Sequence, residues 1–213
     1  MPIGFDSSGG WSTSQVSPVT LSFNNVAGNL LVVGVRTNQS SDTTTACTYN
    51  SVDMTKVDGQ AGNANISSVA MFYLVSPATG TNTVSCSLSS GEASIAALSY
   101  TGATGGLDAN TKQLVTSVTS VTTTLTTNTD NDWTVLMCGE GDGANIAAGA
   151  GLTSRVATGN YIFGDSNAAI TPAGSTSMAF SWGNPNDGLS VMAAFKPTAV
   201  VVARLNLLLM GAG

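Results

Sequence analysis

The sequence predicts an all-β fold: an antiparallel two-sheet β-sandwich with jelly-roll-like wiring. Three observations carry that expectation. Apolar and polar residues alternate with a period of two along most of the chain, the spacing of half-buried strands. Clusters of Gly, Pro, Asn, Asp and Ser separate those runs. No stretch shows the 3.6-residue periodicity of an amphipathic helix. The 213 residues fit one domain, since sandwiches of this length are commonly undivided.

Along the chain, "NLLVVGV" from Asn29 and "VAMFYLV" from Val69 are apolar on both faces, as central strands covered on each side would be. Between them, "CTYNSVDM" predicts a hairpin with a two-residue turn at Asn50-Ser51. Tyr49 would then face Val52, and Cys47 would face Met54, all four on one side, with Thr48 and Asp53 on the other. In "TVSCSLS", Val84, Cys86 and Leu88 point one way and Thr83, Ser85 and Ser87 the other. "DWTVLMC" sets Trp133, Val135 and Met137 on one face. Tyr161 and Phe163 alternate in "NYIFGD" and read as core. "MAFSW" sets Met178, Phe180 and Trp182 against Ala179 and Ser181. "SPATGTN", "TGATGGLDAN" and "GNPNDG" are turns. About ten to twelve strands result, enough for two sheets.

Three segments are expected: residues 1–14 as a polar amino-terminal arm, 15–197 as the sandwich, and 198–213 as an apolar carboxy-terminal arm. The last includes "VVVARLNLLLMGAG", nearly pure hydrocarbon against a body of Ser, Thr and Gly. Its apolar run is interrupted by Arg204 and Asn206 and is far shorter than the ~20 residues of a membrane helix, so no membrane partner is expected.

Composition narrows the function. Hydrophobic residues make up 42%, enough for a core, but charged residues only 8%, against about a quarter in ordinary globular chains. This is neither a disordered chain nor a Lys/Glu-surfaced enzyme. Net charge is −6, and the six cations (Arg36, Lys56, Lys112, Arg155, Lys196 and Arg204) form no stripe, which argues against a nucleic-acid partner. The start, "MPIGFDSSGGW", has neither a basic nor an apolar leader region, so synthesis in a cytosol is expected. Cys47, Cys86 and Cys138 form no C-x-x-C pair; their odd number and apolar settings read as small buried hydrophobes rather than a disulfide.

Catalytic constellations are wanting. Without histidine, the commonest general base is missing and a Ser-His-Asp triad cannot form. The carboxylates of Glu92, Glu140, Asp130, Asp132 and Asp142 fall among turn residues. "DND" and "EGDG" offer hard oxygens of the kind calcium takes, but lack the spacing of a dedicated loop. No catalytic residue, cofactor or metal is therefore expected. Sugar binding would draw on Trp11, Tyr161 and Phe163; Trp11 alone lies outside the best-patterned strands, and reads as a lid over the sandwich end or an interface anchor. The glycosylation triplets at Asn38 and Asn65 read as coincidence.

The strings "NLLVVGVRT", "CTYNSVDMTKVDG", "VAMFYLVSPATGTNTVSCSLS", "AALSYTGA", "NDWTVLM" and "DGLSVMAAFKP" together resemble a β-sandwich module that recurs in bacterial surface proteins and phage structural proteins. The likeness spans residues 15 to 197; it departs at Ser51, where such modules often carry Gly. It implies structural or adhesive display. The expectation is therefore a non-enzymatic virion structural protein made in the host cytoplasm. It would be a phage capsid decoration or cement protein that binds capsid or other virion subunits, and a homo-oligomer. Trp11, Val202, Leu205, Leu207, Leu208, Leu209 and Met210 are its expected partner-binding residues. The alternative is a carbohydrate-binding or tail-fibre adhesin module.

Overall fold

The computed structural model describes residues 2–63, 67–141 and 145–199. Its first strands are β1 (Gly4–Ser14), β2 (Val19–Asn25), β3 (Leu30–Thr37), β4 (Thr44–Tyr49) and β5 (Val52–Asp53). Then come β6 (Thr55–Gln60), β7 (Ser68–Val75), β8 (Gly80–Leu88), β9 (Ala93–Thr101) and β10 (Leu107–Thr126). The chain continues with β11 (Trp133–Glu140), β12 (Ala147–Ala148), β13 (Thr153–Thr158), β14 (Tyr161–Asp165) and β15 (Ser175–Phe195).

The antiparallel sandwich predicted from the sequence is present, with its strands divided among three sheets rather than two. A central sheet runs β1-β9-β3-β7-β6, an outer sheet β2-β8-β4-β5, and a broad sheet β10-β15-β11-β14-β13 with β12 against β15. The third layer follows from burial on both faces of the central sheet. Leu30 and Val32 of β3 pack with Met71, Leu98, Val135 and Phe163 toward the broad sheet. Leu31, Val33 and Val35 pack with Phe72, Tyr49, Val84 and Cys86 toward the outer sheet. A third core lies behind the broad sheet. There β10 and β15 pair from Leu107↔Phe195 to Thr126↔Ser175, with register breaks between Val115 and Ser120. Past those breaks the ribbon folds back, so that Val121, Met178, Phe180 and Trp182 cover Leu136, Cys138 and Met192. The fold-back leaves no room above Gly188, where a Cβ would run into the Trp182 ring.

The hairpin at Asn50-Ser51 forms as expected: Asn50 and Ser51 have φ of 49° and 64°, the left-handed pair of a type I′ turn. Tyr49 pairs with Val52, and Met54 N bonds Cys47 O at 2.9 Å. Val52 remains exposed at the tip.

Two expectations are corrected. Residues 4–14 are not a free arm but β1, paired with β9 from Gly4↔Thr101 to Ser14↔Ala93. Hydroxyl pairs tie this edge strand to β9: Ser7 with Ser99 at 2.8 Å and, on the opposite face, Thr13 with Ser94 at 2.8 Å. A strand held by hydroxyls shows no apolar alternation, so the sequence reads as polar arm. Cys47 and Cys86 are buried, as expected, but bonded to each other. They stand directly opposite on β4 and β8, with Cα atoms 4.1 Å apart, and both face the outer core. The odd count hides the pair because Cys138 is the buried single thiol.

The central and broad sheets are also joined by a buried charge. Asp165, 0% exposed, accepts from Arg155 Nε (2.9 Å) and Nη2 (3.1 Å), Tyr100 Oη (3.0 Å) and Asn167 N (2.8 Å). Arg155 sits at the β13 bulge between Ser154 and Val156, and its guanidinium lies 4.1 Å from the centre of the Phe5 ring. Burial, then the Asp165 charge, hold the Tyr100 hydroxyl well above its ordinary titration range.

Two measurements check this description. Thiol titration of denatured, unreduced protein should count one free cysteine of three, and closing a loop of 39 residues contributes about 4 kcal/mol in the chain-entropy account. Arg155→Ala leaves Asp165 buried without its cation and should lower unfolding stability by about 3–5 kcal/mol in a denaturant titration.

Candidate functional site

Two openings on the described surface have the character of interaction sites, at opposite chemical extremes. The first is a polar cleft of about 230 Å³ between the central sheet and the β13–β14 turn. Trp11 stands at its wall. The β1–β9 register shifts between Gly9 and Ser12, so Gly10 and Trp11 occupy a bulge, a device that re-aims a side chain. The half-buried indole packs on the core beneath. Across from it are Thr158, Asn160 and Tyr161, with Thr13 and Ser94 on the floor. Arg36 lies 3.6 Å from Glu92 and stacks over Tyr161 at 5.2 Å. Trp11 Nε1 and Arg36 Nε are buried with no hydrogen-bond partner among the described residues. Trp11 is thus a cleft wall, while Tyr161 and Phe163 are core, as their alternation predicts.

The second opening is a mostly apolar cavity of about 510 Å³ at the end of the sandwich where β15 runs out. Pro2, Gly105, Pro197 and Ala199 line it, with Thr129, Asn131 and Lys196 at its polar side. Thr198 N donates to Gly102 O at 2.7 Å and fixes the chain's path there. The expected partner-binding residues Val202, Leu205, Leu207, Leu208, Leu209 and Met210 lie outside the described residues.

Beside this cavity sits a carboxyl pair that the sequence places only in a turn. Asp108 accepts from Asn128 N (2.6 Å), Asn128 Nδ2 (3.2 Å) and Thr129 Oγ1 (2.9 Å). Burial pushes Asp108 up, but these bonds and one from Asp132 outweigh it and hold the carboxyl below its ordinary value. Asp132 is fully buried, and no described donor reaches either of its oxygens. Burial, the bond to Asp108 and the Asp108 charge push it up to about 7, against Lys196. Of the two carboxyls, Asp132 is thus the one that burial favours in its protonated form, and Asp108 the one held ionised.

The other acids read as structure. Asp130 caps the Ala173 amide (2.6 Å) from a turn in which Asn131 has a φ of 66°. Glu140 is buried at the end of β11 and accepts from Asn186 Nδ2 at 3.2 Å; Asp142 lies outside the described residues. Among the described residues every cation is matched: Arg36 with Glu92, Lys56 with Asp42, Lys112 with Asp58, Arg155 with Asp165, and Lys196 with Asp108.

The Asp132 proton sets a pH dependence of unusual sign. In the folded protein the carboxyl keeps its proton to about pH 7, whereas unfolded it loses it near 3.8. Its stabilisation is therefore complete below about pH 4 and lost as pH rises through about 7, with a slope of up to about 1.4 kcal/mol per pH unit. Asp132→Asn should flatten that part of the curve of melting temperature against pH.

No family model matches the chain, and no curated protein matches it. Among solved structures it is similar to a conserved protein of unknown function from Pseudomonas aeruginosa, with 11% identity, TM-score 0.30, and 86% of this chain and 82% of that one covered. HutD from Pseudomonas fluorescens matches at 14% identity and TM-score 0.28, over 86% and 79%. The major capsid protein P2 of bacteriophage PM2 matches at 5% identity and TM-score 0.30, over 90% and 98%. Likenesses this distant assign neither family nor function.

Proposed function

We propose that the protein is a non-enzymatic structural subunit of a virion, a capsid decoration or cement protein that joins neighbouring capsid subunits and further copies of itself. The observation that carries this reading is the contrast between the body and its carboxy-terminal sequence. The described sandwich keeps three filled cores and exposes only scattered large apolar side chains, Val16, Val26 and Val52. Directly after Ala199, at the rim of the apolar cavity, the sequence supplies Val200, Val201, Val202, Leu205, Leu207, Leu208 and Leu209. Burying seven such side chains contributes on the order of 10 kcal/mol before ordering costs, and leaving them in water invites aggregation. A hydroxyl-rich body of few charges with an adhesive terminus stays soluble until assembly and is then locked in place.

The matched cations support a partner that is protein rather than nucleic acid, and the length of the apolar run supports the same choice over a membrane. The sequence's lack of histidine supports a role in binding, not turnover. Residues 198–213 are the joint, and the expected location is the virion after synthesis in the host cytoplasm.

Sedimentation of the full-length chain beside a form ending at Pro197 tests the reading. The full-length protein should form trimers or larger species, and the shortened form a soluble, folded monomer that no longer joins its particle. Monomers in both cases, with the shortened form less stable, would make the segment part of its own core and defeat the proposal.

A further inference from the structure

We propose that the cleft at Trp11 is a binding site for a neutral saccharide, one sugar ring against the indole and a second extending toward Gly91. The site stands apart from the assembly reading and uses none of residues 200–213.

The chemistry of the walls selects the ligand class. The ionised groups of the cleft are Arg36 and Glu92, 3.6 Å apart, and their charges cancel. Neither an anion nor a cation gains there, and the net charge of −6 further disfavours phosphates and sulfates. The Thr158 hydroxyl and the Asn160 side-chain carbonyl would be desolvated by an apolar ligand without return. What fits is a molecule neutral overall, hydroxylated at its rim and apolar on one face. A pyranose is built this way, and the half-buried Trp11 indole in the cleft wall is the apolar partner for that face.

The hydrogen-bonding inventory points the same way. An ion pair presents a charged donor and a charged acceptor side by side, which suits two neighbouring sugar hydroxyls, each able to donate and accept. Trp11 Nε1 and Arg36 Nε, both buried at the same wall, have no partner among the described residues, an unusual cost in one place. Asn160 Nδ2 is held by Glu140 O at 3.4 Å, which leaves its carbonyl oxygen to accept.

Size then sets the number of rings. At about 230 Å³ the cleft falls short of the ~300 Å³ at which pockets hold drug-sized ligands, and suits one ring. A second opening of about 370 Å³ shares Glu92 and is lined by Gln15, Asn38 and Gly91. Its wall is set by Asn38, whose Oδ1 takes the Glu92 amide at 2.8 Å. Gly91 has a φ of +83°, and a Cβ there would lie 2.7 Å from Asn38 Oδ1 and from Gln39 Cγ. The backbone thus approaches as closely as only glycine allows, and keeps the groove open for a linked sugar.

Full-length protein titrated with maltose, cellobiose, lactose and chitobiose, each to about 50 mM, tests this by saturation-transfer NMR and tryptophan emission. Trp133 and Trp182 are buried, so Trp11 is the indole placed to report. At least one disaccharide should saturate with a Kd of about 1 mM, well inside the titrated range. Trp11→Ala should weaken that binding at least about tenfold. Thr158→Arg, a change at an exposed position that blocks the cleft without touching the core, should abolish it. Absence of saturation with all four sugars overturns the proposal, as does binding unchanged in both variants. An equal response to sodium sulfate would mark an ion site and overturn it as well.

Discussion

The fold depends on a central sheet buried on both of its faces. Strands β3, β7 and β9 are covered by the outer sheet on one side and the broad sheet on the other, so each must be apolar in both directions. Each Leu, Val, Ile or Phe so enclosed contributes about 1.5–3 kcal/mol, and the three strands share two of the protein's three cores. Every other element is attached to this slab or to what covers it. The disulfide lies in the outer sheet facing it, and the buried Asp165 network joins its Tyr100 to the broad sheet. Remove apolar character from either face and a whole layer loses its partner.

Charge is used sparingly and almost always in pairs. Arg155 is the one deeply placed cation among the described residues, and it meets Asp165 with two nitrogens while its other face rests on Phe5. Such an arrangement does not by itself add much stability over an apolar filling, because both ions were desolvated to make it. What it fixes is geometry. The fork of a guanidinium accepts one orientation of a carboxylate, so β13, β14 and the amino-terminal edge of the central sheet are held in one relation. The same economy explains the hydroxyl ladder between β1 and β9, which binds an edge strand through Ser and Thr where many proteins would use apolar contacts.

Much of the fold was legible in the residues, and the failures have physical causes. β3, β7, β8, β11 and the outer half of β15 announce themselves by apolar periodicity, because their burial is decided by transfer from water. The Asn50-Ser51 turn was legible from local chemistry. β1 was not, since the pairs Ser7–Ser99 and Thr13–Ser94 satisfy a strand through partners more than eighty residues away. The third sheet was hidden for a related reason: β10 and β15 are each continuous in sequence, and their fold-back is set by contacts such as Trp182 over Gly188. Of the candidate sites, Trp11 was legible as a residue out of pattern, but the cleft beside it was not. Arg36, Glu92 and Asn160 come together only through the stacking of two sheets. The Asp108–Asp132 pair was equally silent, because a raised carboxyl pKa depends on burial and on neighbouring charge rather than on spacing along the chain.

The edge left by β10 bears on assembly as well. This strand ends the broad sheet, and from Gln113 to Thr129 the chain carries no charged residue. Ser120, Thr122, Thr124 and Thr126 are exposed, while Val121 and Leu125 face inward. Exposed edges in monomeric proteins are normally guarded by Lys, Pro or inward-pointing charge, because a bare ladder of N–H and C=O groups recruits other strands. The inner half of β10 does have a guard, in Lys112 bonded to Asp58 of β6. The outer half has hydroxyls alone, which solvate the strand without repelling a second one. A chain that must remain single gains nothing from such an edge, whereas a subunit whose neighbours cover it needs no guard there. The unguarded half of β10 therefore weighs on the side of assembly, and does so without reference to the apolar terminus on which that reading first rests.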